Sequence, residues 1–311
     1  MISLKQLNYA LAVESTLHFK KAAERCNVSQ STLSTAIAEL EKHLGLIIFE
    51  RNNKKVLITA EGLLFLNKAK NIKLEIDELY QLSQMAKSAL STPMTLGVIP
   101  TIGPYLLPKV LPHVRENHPD FRLTLFEQQS HVLVDKVRNG DLDCAVLALP
   151  FDLNGLMAFE FWQEDFFWVS HKDECPSQVT EITSEELELN NLMLLQDGHC
   201  LKDHALAACS LKNVSQNNEF SATSLHTLVQ MVAGKLGSTL VPEMALDQLI
   251  YPSSELSAFH LNEPGPHRRL AFVVRPNFVR VKDIEVLCQQ FKTQLGQFGQ
   301  ARIDQSCIYT S

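Results

Sequence analysis

Cys200 stands in the most chemically suggestive stretch of the chain, Asp197-Gly198-His199-Cys200-Leu201-Lys202-Asp203-His204, which continues through Ala205-Leu206-Ala207-Ala208 to Cys209. Asp197-Gly198 reads as a helix start and Leu201 to Ala208 as a helix-forming run, which places Cys200 at a helix N-terminus, where backbone N–H groups favour an anion. His199 and Lys202 add donors or positive charge nearby. Oxidants attack the thiolate rather than the thiol, so these neighbours predict a lowered Cys200 pKa and a site for oxidation to sulfenic acid. Taken alone, a His-Cys pair is a weak signal, because a reduced cysteine is ordinarily a small buried hydrophobe. That ordinary reading applies to Cys26, Cys144, Cys175, Cys288 and Cys307. Seven cysteines without a C-x-x-C pair form neither a secreted disulfide framework nor a zinc site, so they start as thiols and no metal is expected.

The elements that position such a thiol are legible in outline. With 311 residues, 45% hydrophobic and 20% charged, the chain can bury two or three domains, and disorder is excluded. No apolar run approaches a membrane span and the first residues lack a signal-peptide pattern, so a cytoplasmic location is expected. Residues 1–60 carry 8 Lys and Arg against 5 Asp and Glu, whereas the remainder carries 20 against 30, so only the N-terminus favours nucleic acid.

Within those sixty residues, Leu4, Leu7 and Leu11, then Phe19, Ala22 and Ala23, then Leu33, Ile37, Leu40 and Leu44 fall at helical spacing and predict three helices. Between the second and third, Asn27 tolerates a left-handed turn and Ser29 can cap the third helix, while the alanine pair allows two helices to cross closely. This predicts a helix-turn-helix. Its third helix would present Gln30, Ser31, Thr32, Ser34 and Thr35 to base edges. Phe49 to Val56 reads as a wing whose Arg51, Lys54 and Lys55 would contact phosphates. An ordinary helical bundle with a solvated polar face is the bland alternative.

The order of these features, from the alanine pair through Ser-Gln-Ser-Thr-Leu-Ser and Leu-Glu-x-x-Leu-Gly to the basic wing, resembles the LysR-type regulators over residues 1–60. Ser31 departs from the proline that many relatives carry there as an early helix residue. A heptad seam, Phe65, Ala69, Ile72, Ile76, Leu79, Ser83, Ala86 and Leu90, then predicts a helix that pairs with another, although a helix lying on its own domain would give a similar stripe. The resemblance implies a linker helix that makes dimers, and Ser91-Thr92-Pro93 ends it.

Beyond Pro93 apolar runs alternate with helical patterns: Met94–Ile99, a helix from Tyr105, Leu123–Phe126, a helix from Val132, Cys144–Leu149, Phe166–Ser170, Leu192–Leu195, Thr239–Val241 and Leu270–Val274, with helices near Leu225 and Ile284. The fold class is therefore α/β. The resemblance implies an N-terminal winged helix-turn-helix at 1–60, a long linker helix at 61–92 and a periplasmic-binding-protein-like regulatory domain at 93–311. Its two subdomains would be 93–162 with 267–311, and 163–266.

The Cys200 segment, together with Ile-Pro-Thr-Ile-Gly-Pro-Tyr-Leu-Leu-Pro at 99–108, is similar to the peroxide-sensing members of that family. This implies hydrogen peroxide as signal, redox residues Cys200 and Cys209 joined by a disulfide on oxidation, and peroxide held by Thr101, Ser130, His199 and Arg269. Ser130 stands where Thr is common, and Lys202 where Arg is frequent. If the intervening segment is helical, the two cysteines lie about 13 Å apart along its axis, too far for a disulfide unless the helix unwinds. The implied partners are double-stranded promoter DNA, a second dimer in a homotetramer, RNA polymerase and a cellular thiol reductant; no cofactor and no enzymatic turnover are expected. Competing readings are a metabolite-responsive LysR-type regulator with incidental cysteines, a thiol peroxidase, and a solute-binding protein, the last disfavoured by the missing export signal and the N-terminal domain.

Overall fold

The computed structural model describes residues 2–52, 55–82, 89–175, 181–187, 191–209 and 222–306, and the side chains of 51–52, 81–82 and 298–306 fall outside that description. The chain divides into two compact units, 1–86 and 87–311. No described helix is long and apolar enough to cross a membrane.

The first unit opens with α1 (Leu4–Thr16), held by a reciprocal Ser3/Gln6 capping box. His18 Nδ1 caps α2 (Phe19–Arg25) by accepting the Lys20 and Lys21 amides, at 3.2 and 3.4 Å. The turn after α2 has Asn27 at φ +55°, the left-handed conformation expected there, and Ser29 Oγ accepts the Thr32 amide at 3.1 Å to start α3 (Gln30–Leu44). Leu33, Ile37 and Leu40 are fully buried on one face of α3 and pack with Ala10, Val13, Ala22 and Ala23. Strands β1 (Phe49–Asn52) and β2 (Lys55–Ile58) pair antiparallel as a wing. Glu41 anchors it by accepting the Ile48 and Phe49 amides at 2.8 and 3.0 Å.

Helix α4 (Ala60–Leu82) carries the linker seam. Leu66 and Ala69 are buried within the unit, but Ile72 and Leu79 are exposed, and so are Leu63, Leu64 and Tyr80. Ser83 and Ala86 lie outside the described residues. Leu90 departs from the seam: it sits in a turn at φ +59°, is 2% exposed, and belongs to the core of the second unit, where its amide donates to Asp283. A leucine at heptad spacing therefore joins a different core once the helix has ended.

The second unit holds two sheets. The five-stranded sheet runs β4 (Leu123–Glu127), β3 (Met94–Val98), β5 (Cys144–Leu149), β11 (Arg268–Val274), β6 (Met157–Glu164). Its β3 pairs parallel with β4 and β5, and its β11 antiparallel with β5 and β6. Helices α5 (Gly103–Asn117) and α6 (Ser130–Arg138) follow β3 and β4, and α10 (Val281–Ser306) follows β11. The four-stranded sheet runs β8 (Glu181–Ile182), β10 (Leu256–Leu261), β7 (Phe166–His171), β9 (Thr239–Pro242). Helices α7 (Cys200–Ala208), α8 (Leu225–Ala233) and α9 (Leu246–Leu249) complete this part of the chain.

The chain leaves the first sheet at Glu164, enters the second at Phe166, and returns before Arg268. Asp165, between the sheets, binds His260 Nε2 at 3.1 Å and the His267 amide at 3.3 Å, so the outgoing and returning crossings are tied side by side. The expected run at Leu192–Leu195 is reduced to two isolated bridges, with Ser238 and Ala222, while β6 and β10 were not anticipated. Both strands alternate apolar with polar residues too irregularly for their sequence to mark them.

Candidate functional site

The first candidate surface is the exposed start of α3. Ser29 bonds both the Ser31 and Thr32 hydroxyls at 2.8 Å, forming a small cap cluster at the helix tip. Gln30, Ser31, Thr32 and Thr35 are exposed, Ser34 is half-buried, and Lys55 is exposed on the wing. Lys54 and the Arg51 side chain lie outside the described residues. A polar helix tip and a wing cation have the chemistry to meet base edges and phosphates.

The second candidate site surrounds Cys200, the first residue of α7. His199 is the N-cap, and Gly198 before it has φ +93°. A Cβ added at Gly198 would come within 2.9 Å of Gln129 Oε1, so glycine allows the start of α7 to close against the residue that precedes α6. Cys200 is 4% exposed, and Thr101, Ser130, His199, His204 and Arg268 are all buried. Ser130 opens α6 and Arg268 opens β11, and both act on the Cys200 thiol, while Thr101, which follows β3, is tied to Arg268 through its carbonyl.

The electrostatics of this site differ from the expectation. Burial pushes the Cys200 thiol above its ordinary pKa, opposed by the Ser130 hydroxyl and the positive charge of Arg268. The balance favours the thiol over the depressed thiolate that the sequence predicts. The neighbours credited with positive charge do not supply it. Lys202 is buried and its ammonium is paired with Asp197 at 2.5 Å, while burial lowers the His199 pKa and favours a neutral ring.

Arg269 is likewise displaced from its expected role. Its guanidinium pairs with Glu160 at 2.7 Å, and both side chains are about two-fifths exposed. Successive strand side chains point to opposite faces, and the inward one is Arg268. Arg268 Nε donates to Glu164 Oε1 at 2.7 Å and Nη2 donates to the Thr101 carbonyl at 3.2 Å. The sequence reading missed Arg268, Glu164 and His204. Adjacent arginines in a strand are the one available signal, and it does not say which of the two turns inward.

Thr101 Oγ1, Ser130 Oγ and Arg268 Nη1 are buried and lack any oxygen or nitrogen partner among the described residues. Leaving such groups unmatched costs about 1–3 kcal/mol each. Cys209, by contrast, is the C-cap of α7, 3% exposed within the apolar core, with its thiol raised to about 11 by burial and then by Glu263. Nine residues of helical rise separate Cys200 from Cys209, about 13 Å. Both thiols are free. Residues 210–221 and Cys307 lie outside the described residues.

Residues 4–63 match the family of bacterial regulatory helix-turn-helix proteins of the lysR type, and residues 87–296 match the LysR substrate binding domain. The HTH-type transcriptional regulator EstR of Acinetobacter baylyi is 37% identical over 290 residues, covering 93% of this chain and 96% of that protein. The hydrogen peroxide-inducible genes activator of Haemophilus influenzae is 33% identical over 277 residues, covering 88% and 91%. Among solved structures, a full-length variant of Pseudomonas aeruginosa OxyR is similar at a TM-score of 0.76 and 34% identity, covering 94% of this chain and 98% of that one. A hydrogen peroxide-bound variant of Corynebacterium glutamicum OxyR has a TM-score of 0.65 at 31% identity, covering 95% and 93%. From its N-terminal DNA-reading fold to the two-sheet unit that houses Cys200, the chain belongs to the LysR family of bacterial transcription regulators.

Proposed function

We propose that this regulator senses hydrogen peroxide through Cys200 and converts oxidation into altered promoter binding. The observation that carries the reading is the buried Cys200 thiol at the head of α7, acted on by the Ser130 hydroxyl and the charge of Arg268, in a part of the fold where Thr101 Oγ1 and Arg268 Nη1 are buried without a partner among the described residues. Hydroxyls and a guanidinium suit the two oxygens of peroxide, and Arg268 supports the negative charge that develops as the O–O bond breaks. His199 is buried at the cap of the same helix. Arg269 has no part in this arrangement, since its charge is engaged by Glu160.

The sulfur lone pair attacks one peroxide oxygen, the O–O bond breaks, and the products are Cys200 sulfenic acid and water. Cys209 then displaces that hydroxyl as water and forms the disulfide. Cα atoms joined by a disulfide lie within about 7 Å, whereas intact α7 holds these residues nearly twice as far apart, so α7 unwinds as the bond forms. Refolding of a buried helix in the regulatory unit changes contacts between subunits, and the paired DNA-reading domains shift on the duplex with them. A homotetramer, recruitment of RNA polymerase to antioxidant promoters, and resetting by a cellular thiol reductant complete the cycle.

The test is mass mapping of every cysteine after substoichiometric peroxide, with footprinting of the same sample on promoter DNA. The expected result is a Cys200–Cys209 bond and a shifted footprint, with both lost in Cys200→Ser. A different bonded pair, or an unchanged footprint once that bond has formed, overturns the proposal.

A further inference from the structure

His204 lies one helical turn beyond Cys200 on α7, and both side chains are buried on the same helix face. Side chains on a helix lean toward its N-terminus, so His204 leans over the turn that begins with Cys200. Its Nε2 is 2.8 Å from the Pro150 carbonyl oxygen. A carbonyl only accepts, so Nε2 carries the hydrogen and, in the neutral ring, Nδ1 keeps its lone pair. That Nδ1 is buried and has no partner among the described residues. The ring stays neutral because burial lowers its pKa, with Arg268 acting in the same direction, against the opposing effects of the Pro150 bond and Asp203.

The site therefore holds a thiol that is reluctant to ionise, and one turn away an acceptor with nothing to accept. The charges facing this acceptor are Arg268 from β11, itself bound to Glu164, and Asp203 on α7. Thr101 and Ser130 offer hydroxyls, not bases. We infer that His204 is the proton acceptor for Cys200: Nδ1 takes the thiol proton as the sulfur attacks peroxide and delivers it to the departing oxygen. The sulfur loses two electrons and gains one O–H group, the O–O bond is cleaved, and the second oxygen leaves as water carrying the thiol proton. Imidazolium exists only in passing, beside an oxygen that is becoming negative, so the charge of Arg268 opposes it briefly and favours the leaving group throughout.

This inference rests on the peroxide reading, and the experiment separates their failures. Full-length protein is mixed with peroxide in light and heavy water across about pH 6 to 8, and Cys200 sulfenic acid formation is followed by stopped-flow trapping. A base that is neutral across this range gives a nearly level pH profile with a solvent isotope effect. His204→Gln keeps a donor for the Pro150 carbonyl but cannot take a proton. It is expected to react about 100-fold more slowly, with a rate that climbs tenfold per pH unit because only preformed thiolate reacts.

A wild-type profile that already climbs tenfold per unit overturns the role of His204, and does so even where His204→Gln fails to fold. A folded His204→Gln with wild-type rate and profile also overturns it while leaving the peroxide reading intact. Absence of sulfenic acid at Cys200 in the wild-type protein removes the peroxide reading, and this inference with it.

Discussion

Arg268 and Glu164 form a salt bridge from which solvent is excluded on both sides, with Nε to Oε1 at 2.7 Å and Nη2 also on that oxygen at 2.6 Å. The second carboxylate oxygen accepts the Met244 amide at 2.9 Å, and the guanidinium reaches the Thr101 carbonyl. One pair thus joins β6, β11, the loop after β3 and the turn after β9. It also presents a fixed positive charge to Cys200.

Glu164→Ala is expected to lower stability by about 3–5 kcal/mol, because it strands a buried guanidinium without its counter-charge. Urea unfolding of the regulatory unit in the full chain measures this. Glu164→Gln combined with Arg268→Gln removes both charges and is expected to lose less than the two single changes added together, the signature of a coupled pair. Additive losses would mean that the carboxylate and guanidinium act independently.

On the DNA-reading unit, Gln30→Ala and Lys55→Ala should separate two kinds of contact. Gln30 is exposed at the tip of α3, and its loss is expected to relax preference at one base pair per half-site by about 1–3 kcal/mol. Lys55→Ala is expected to weaken all sequences alike and to reduce the slope of log affinity against log salt by about 1 per subunit. Binding titrations at several salt concentrations, on cognate and mismatched duplexes, distinguish the two. A Lys55→Ala effect confined to one sequence would refute the phosphate assignment.

How far the sequence disclosed this molecule depended on whether local rules decided the outcome. The turn at Asn27, the Ser29 cap and the inward Leu33, Ile37 and Leu40 follow from conformational preference and helical spacing, and the structure has them as expected. So does Cys200 as the first residue of α7. The choice between Arg268 and Arg269 is different, because β11 is an interior strand with Leu270, Ala271, Phe272 and Val273 all fully buried, so alternation offers no register. The Cys200 pKa failed for a related reason. Neighbours in sequence suggested positive charge, but Lys202 is neutralised by Asp197 and the net effect is set by burial, a property of the assembled fold.

Gly198→Ala is expected to slow sensing without removing any side chain of the Cys200 site. The residue has φ +93°, where a side chain is strained, and a Cβ would press on the Gln129 amide at 2.9 Å. The cost is about 1–3 kcal/mol, measurable as a lowered urea midpoint. Relief of the clash parts the start of α7 from α6 and takes Cys200 away from Ser130, so sulfenic acid formation slows as well. A stability loss with wild-type oxidation kinetics would show that the α6–α7 junction is structural only.

Cys209 offers a prediction in the alkaline range. Its thiol is raised from 9.0 to about 11 in the folded chain, so the unfolded chain releases this proton first as pH rises. The contribution of the neutral thiol is complete below pH 9 and is lost as pH climbs towards 11. Cys144 and Cys288 are also raised by burial, so wild-type protein loses stability for more than one reason and the comparison has to be with a variant. The difference in unfolding free energy between wild type and Cys209→Ala, measured in urea under reducing conditions, is expected to shrink steadily from pH 9 to pH 11. A difference that stays constant over that interval would mean that the thiol is not held neutral by the core, and the helix that carries it would then be more open than its burial indicates.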